Sequence, residues 1–204
     1  MTNPPVHYED EQLTITRLVV GPYDNNVFVA RCRHTGEAVL IDAANEAEKV
    51  LDLCRRLNVG KVLETHGHAD HIQAVPAVRE AGYDVWITAE DAAMLPGYDF
   101  LLEDEQVIEV GRLRLHNLHT PGHTPGSICF RVEGSPVLFS GDTLFPGGPG
   151  ATRPPLGDFP TIISSIQQRL LVLPPETHVL PGHGRDTTIG TEQPHLQEWI
   201  DRGW

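Results

Sequence analysis

The chain has 204 residues, 40% of them apolar and 21% charged, and 28 acidic side chains outnumber 15 basic ones for a net charge of -13. That length suits one domain with a sizeable core, read here as residues 1–204 throughout. The acidic surplus argues against nucleic acid or an anionic membrane as partner, which leaves a small-molecule substrate as the expected one. No apolar run approaches the ~20 residues of a membrane span. The opening MTNPPVHYEDEQ lacks the basic and apolar segments of a secretory signal, so a cytoplasmic location is expected. Cys32, Cys54 and Cys129 are odd in number and widely spaced, which reads as free thiols in a reducing compartment, with Cys54 and Cys129 in the core.

Residues 1–11 read as a polar lead-in. Three strands follow at 13–20, 26–32 and 36–42, separated by turn-forming Gly21-Pro22 with Asp24-Asn25 and by His34-Thr35-Gly36. Residues 46–57 place Val50, Leu53, Cys54 and Leu57 on one helical face, and Asn58 and Gly60 end the helix. A short buried strand is expected at 61–66 and a second helix at 70–81, with Ile72, Val75 and Val78 inward. A strand at 83–88 and a short helix from Asp91 come next. Strands at 106–110, 112–118, 127–132 and 137–141 precede a Gly/Pro-rich loop at 146–157. A helix at 159–172 turns Ile162, Ile163, Ile166, Leu170 and Leu171 inward. A strand and loop at 177–184 and a short helix in 190–204 close the chain. Each half supplies several strands, then helix and strand. That order suits an α+β fold in which two sheets pack face to face with helices outside, an αββα sandwich.

Chemistry concentrates in Thr65-His66-Gly67-His68-Ala69-Asp70-His71, which leaves a strand and is expected to open the helix at 70. His66 and His68 leave the turn in one direction, and Asp70 and His71 in another, so one short segment can feed two adjacent metal ions. Imidazole and carboxylate donors suit zinc, and also iron or manganese. The rival reading of the segment taken alone, the weaker of the two, is polar residues at a helix start with Asp70 as a cap. Three further segments repeat one design, a ligand-type residue beside Gly after an apolar strand: Pro121-Gly122-His123-Thr124, Ser140-Gly141-Asp142-Thr143 and Pro181-Gly182-His183-Gly184. Glycine there lets the backbone turn tightly and approach a metal closely.

In this order, HxHxDH, PGHTPGS, SGDTLF and PGHG resemble the metallo-β-lactamase-fold hydrolase superfamily, over nearly the whole chain. GDTLF and TPGHTPGS are most similar to its glyoxalase II-like (hydroxyacylglutathione hydrolase-like) branch, and the chain's ending to small single-domain members of it. The resemblance implies a two-sheet αββα fold and two divalent metal ions, zinc first. His66, His68 and His123 would hold one ion, and Asp70, His71 and His183 the other. Asp142 would bridge them, with a metal-bridged hydroxide as nucleophile and Asp70 orienting it as a catalytic residue. The implied activity is hydrolysis of an acyl thioester of a small thiol. Other branches with similar motifs are mononuclear iron persulfide dioxygenases and lactonases. True β-lactamases resemble the chain less, since they lack this Asp142 bridge and usually carry a Cys at the corresponding place. The chain ends about twenty residues after His183, and its loop runs Pro146-Gly-Gly-Pro-Gly-Ala-Thr-Arg153 where glyoxalase II has a Gly-Cys-Gly-Arg type loop. These departures imply a thiol carrier other than glutathione.

Phe145 and Arg153 flank the loop after Asp142, where they are candidates to touch substrate, Arg153 through a carboxylate. Asn25 and Asn26 are expected to cap a turn. His119 and the threonines at 65, 120 and 143 are candidates to support ligands. His7, His34, His116, His178 and His195 lack ligand spacing and read as surface or structural residues. Trp199 and Trp204 are expected to pack on the core, the other option being a contact in a homodimer.

Overall fold

Residues 5–203 are described by a computed structural model; Trp204 and residues 1–4 lie outside the described residues. The alternating and continuous apolar runs become strands. The first half supplies β1 (Val6–Glu9), β2 (Leu13–Val20), β3 (Asn25–Cys32), β4 (Ala38–Ile41), β5 (Val59–Leu63), β6 (Asp84–Thr88) and β7 (Phe100–Leu102). They form one seven-stranded sheet in chain order, antiparallel from β1 to β4 and parallel from β4 to β7. The parallel steps need crossovers, and α1 (Ala47–Leu57) and α2 (Val75–Glu80) provide two of them.

The second half supplies β8 (Val107–Val110), β9 (Leu113–His119), β10 (Ile128–Val132), β11 (Val137–Gly141), a hairpin of β12 (Leu144–Phe145) and β13 (Gly148–Pro149), α3 (Phe159–Ser165), β14 (His178–Pro181), β15 (Thr187–Thr188), α4 (Ile189–Glu192) and α5 (Leu196–Arg202). Its main sheet runs β15-β14-β11-β10-β9-β8, with the β11–β14 pair parallel across the α3 crossover.

Three apolar layers hold these elements. Between the sheets, Leu13, Ile15, Phe28, Val39 and Ile41 meet Leu113, Leu115, Phe130 and Phe139. The Phe28 and Phe139 rings lie 5.6 Å apart and tilted by 54°. On the outer face of the first sheet, Val27, Val29, Leu40 and Val62 pack on Val50, Leu53, Cys54 and Leu57 of α1 and on Val75 and Val78 of α2. On the outer face of the second, Cys129, Leu138 and Val179 pack on Ile162, Ile163, Ile166, Leu170 and Leu171, with Trp199 closing the layer. The expected αββα sandwich of two mixed sheets is therefore the observed one. Phe139 is fully buried between the sheets. Phe139→Ala is expected to cost about 3–5 kcal/mol, read as a lowered Tm by calorimetry; an unshifted Tm would mean that this layer is not the main core.

The helix expected at 70–81 is much shorter, because Pro76 has no N–H and its ring crowds the carbonyl four residues earlier. The helix therefore starts at Val75; residues 66–68 are irregular and 69–74 are turns and a bend. Asp70 and His71 consequently sit in an irregular segment rather than at a helix start. The lead-in contains β1, and β7, β12, β13 and β15 are short strands without an alternating pattern. The helix expected over 159–172 stays α-helical to Ser165 and then widens, with Leu171 N–H donating to Ile166 O at 2.9 Å. Asn58 ends α1 in a left-handed conformation, φ 60. All three cysteines are buried and free, and burial pushes the Cys54 thiol up to about 12 and the Cys129 thiol up to about 11. Both stay protonated and inert at neutral pH. Among the described residues no helix is long and apolar enough to cross a membrane.

Candidate metal centre

The ligand-type residues leave the ends of β5, β11 and β14 and the β9–β10 connection, so the strand ends converge on one rim. Three overlapping sets have donor atoms within 4.8 Å of one another: His66, His68 and His123; His66, His71 and Asp142; and Asp70, His71 and His183. All seven residues singled out in the sequence are thereby brought together. Asp142 stands between the two outer triads. Its Oδ1 is 3.5 Å from His71 Nε2, and its Oδ2 is 3.6 Å from His123 Nε2 and 3.5 Å from His183 Nε2.

Each of four imidazoles is pinned by its outer nitrogen, which leaves Nε2 facing the centre. His71 Nδ1–H donates to Asp42 Oδ2 at 2.9 Å. His123 Nδ1–H donates to the Ala151 carbonyl at 2.7 Å, and His183 Nδ1–H to the Tyr23 carbonyl at 2.8 Å. Thr65 gives its hydroxyl proton to Asp42 Oδ2 at 2.9 Å and accepts from His66 Nδ1–H at 3.0 Å. His68 differs: its Nδ1 faces His123 Nε2 at 2.8 Å.

The donor set fits divalent metal ions on this structure's own terms. His66 Nε2 and Asp142 Oδ1 are buried without a hydrogen-bond partner. The Nε2 atoms of His71 and His183 stand 3.1 Å apart. Inward-facing nitrogen lone pairs and an orphaned carboxylate oxygen are what a cation satisfies. Electrostatics divides the site. Burial, reinforced by the imidazoles of His71 and His123, holds His66 well below the usual histidine range, and burial with His123 lowers His68. Around the second triad burial is outweighed. Asp142, the Asp42 hydrogen bond and Asp70 hold His71 up at about 9, and Asp70 and Asp142 raise His183. Asp70 is pushed below the usual carboxylate range against its burial by His183, His71 and Asn25. The carboxylates thus favour positive charge where the second triad converges.

Several supporting residues carry no motif and escape a reading of the sequence. Asp42, at the end of β4, is buried and accepts from Thr65 N–H, the Thr65 hydroxyl and His71. Its only signal is a carboxylate ending the apolar run Val39-Leu40-Ile41. Asn25 and Asn26 are not turn caps: both are buried in β3. Asn25 Nδ2 donates to Asp70 Oδ2 at 3.0 Å, and Asn26 Nδ2 to the carbonyls of Pro181 and Gly184 at 2.9 and 3.1 Å, which ties the His183 loop to the first sheet. His119 donates to the Pro125 carbonyl at 2.9 Å and braces the His123 loop, whereas Thr120 and Thr143 bond each other at 3.0 Å. Gly182 is required by close approach, since a Cβ there would lie 2.3 Å from Asp142 Oδ1 and 2.7 Å from His71 Cε1.

The centre opens into a cleft of about 750 Å³, lined by Tyr23, Asp70, Gln73, His123, Asp142 and Arg153 among others. Arg153 is exposed at its rim. Phe145 is not among the lining residues; its ring stacks beside His183 at 6.4 Å.

Two mixed sheets carrying a histidine–aspartate cluster on their shared rim define a protein of the metal-binding αββα class. Residues 20–183 match the profile of the Metallo-beta-lactamase superfamily, and the chain belongs to that family. The protein named hydroxyacylglutathione hydrolase GloC in Haemophilus influenzae is 35% identical over 76% of this chain and 84% of its own. Among solved structures, the BLEG-1 B3 metallo-beta-lactamase aligns with a TM-score of 0.80 at 33% identity, covering 89% of this chain and 97% of that one. A protein solved in a di-iron-bound form aligns with a TM-score of 0.77 at 33% identity, covering 87% and 96%.

Proposed function

We propose that this chain is a two-metal hydrolase that cleaves an acyl thioester of a small thiol, with zinc the first candidate metal before iron and manganese. The observation that carries the reading is Asp142, one carboxylate within 3.6 Å of histidines from both triads. His66, His68 and His123 would hold one ion, Asp70, His71 and His183 the other, and Asp142 both. When bound, such ions supply Lewis acidity toward a carbonyl and make water nucleophilic near neutral pH.

The chain's own residues do the rest. Asp70, kept ionised and held by Asn25, accepts a proton from water in a hydrogen bond and orients it toward the substrate carbonyl. The outward hydrogen bonds of the imidazoles fix their rings before substrate arrives, so no reorganisation is needed during reaction. The cleft is large enough for an acyl group with its thiol carrier. Arg153, which lines the cleft, would pair with a carboxylate of that carrier. The GloC relative's name puts a hydroxyacyl ester of glutathione among the first compounds to assay, beside esters of other small thiols.

The test is a panel of acyl thioesters, lactones and a β-lactam, run on protein of measured metal content. About two ions per chain and thioester turnover above the other classes are expected; one ion per chain, or lactam turnover above thioester turnover, overturns the reading. Arg153→Ala is expected to raise KM several-fold for thioesters with an acidic carrier while kcat holds, the signature of lost binding that ground and transition states share. An unmoved KM removes Arg153 from the site.

A further inference from the structure

Asp91 lies on the turn after β6 and is fully buried. Its carboxylate receives three hydrogen bonds. Gly126 N–H donates to Oδ1 at 2.7 Å, Gly67 N–H donates to Oδ2 at 2.9 Å, and the Thr124 hydroxyl donates to Oδ2 at 2.6 Å. The positions of these donors carry the argument. Gly67 separates His66 from His68, and Thr124 follows His123. One side chain therefore joins the chain neighbours of all three imidazoles of the first triad, across two loops 55 residues apart.

The surroundings are built to hold that clamp. Thr88, the last residue of β6, donates its hydroxyl to the Gly126 carbonyl at 2.7 Å, so the end of this strand grips the N–H and the C=O of one residue. A Cβ at Gly126 would lie 2.6 Å from Asp91 Cγ and 2.2 Å from Thr88 Oγ1. Thr124 N–H donates to Ser127 Oγ at 3.0 Å, and the Ser127 hydroxyl donates to Thr124 Oγ1 at 2.8 Å, which leaves the Thr124 proton for Asp91. Only an ionised carboxylate accepts at both oxygens while donating nothing, and its three donors offset the cost of burying the charge. The second triad is anchored elsewhere: His71 by Asp42, Asp70 by Asn25 and His183 by the Tyr23 carbonyl.

We propose that Asp91 is a positioning residue that sets the His66–His68–His123 site by clamping its two loops together, and that it leaves the Asp70–His71–His183 site unaffected. This rests on the two-metal reading above.

Cobalt(II) binding, followed by its visible absorption, tests the assignment in two backgrounds. His183→Ala leaves the first triad complete, and His68→Ala leaves the second. Asp91→Ala is expected to weaken cobalt binding about 10–100-fold in the His183→Ala background, the usual effect of removing a group that orients ligands, and less than about threefold in the other. Asp91→Asn carries the same comparison if Asp91→Ala does not fold: it preserves shape but sets an amide NH2 against one of the donors, and a smaller loss with the same selectivity is expected. Equal loss in both backgrounds would reduce Asp91 to a general structural residue, and no loss in either would remove it altogether; both overturn the proposal. A parent chain that takes up no cobalt overturns the two-metal reading itself, and is thereby told apart from a failure of Asp91 alone.

Discussion

Asp142→Ala is expected to abolish measurable turnover and to lower the metal content of the purified chain. The side chain is only 12% exposed, its Oδ1 has no hydrogen-bond partner, and the groups that face it are imidazole nitrogens at 3.5–3.6 Å. An ionised carboxylate removed from water without such a partner costs several kcal/mol unless cations compensate it. It stands against His71, His123 and His183, and its removal deprives both triads of their shared negative charge. Losing a single preorganised electrostatic contact typically costs 10²–10³ in kcat. A group serving two ions is expected to lie at or beyond the upper end, at least about 10³-fold. Asp142→Asn separates charge from shape: it keeps the side-chain volume and should lose nearly as much. The checks are kcat/KM on the preferred thioester and metal per chain by atomic emission. Activity and metal content equal to the parent's in either variant would end the two-metal proposal.

How much of this was legible in the sequence divides along one line. The seven clustered residues were legible because they fall in four short segments that follow strands, each with glycine beside at least one of them. Strand ends of two packed sheets can meet only at a rim. The inward faces of α1 and α3 were legible from periodicity, and Val50, Leu53, Cys54 and Leu57 are buried as their spacing predicts. The helix at 70–81 failed because apolar spacing at Ile72, Val75 and Val78 persists through a segment that Pro76 prevents from being helical. Asp70 and His71 are held there by Asn25 and Asp42 instead of by helix hydrogen bonds. Asp42, Asp91, Asn25 and Asn26 were illegible as functional residues for a common reason. Each acts on a loop distant in sequence, through hydrogen bonds that depend on tertiary packing and leave no local spacing. Asn25 and Asn26 follow a turn, and local logic assigned them to it; the structure spends them on Asp70 and on the loop around His183.

The Asp42 position supports a second prediction, because its chemistry and its backbone pull in different directions. Asp42 has φ 62, a left-handed conformation that Asn tolerates and Ala does not. Asp42→Ala therefore strains the backbone and leaves three buried donors unpaired, a cost of about 3–5 kcal/mol for breaking such a buried network. Against a typical total of about 5–15 kcal/mol, that variant should still fold, with a much lowered Tm. Asp42→Asn is the sharper probe. Its single oxygen can stay opposite Thr65 N–H, where Oδ1 accepts at 2.7 Å, which turns the amide NH2 toward His71 Nδ1. The imidazole must then accept at Nδ1 and carry its proton on Nε2, the atom that faces Asp70, Asp142 and His183. A proton there excludes a metal. The alternative orientation sets NH2 against Thr65 N–H and breaks the turn that carries His66. Either way Asp42→Asn should fold, with its affinity for the second ion down about 10–100-fold and turnover falling with it. Nitrogen-15 NMR of labelled histidine reads the tautomer of His71 directly, and a metal titration reads the affinity. An unchanged His71 tautomer together with full occupancy would show that Asp42 merely fills space beneath the site.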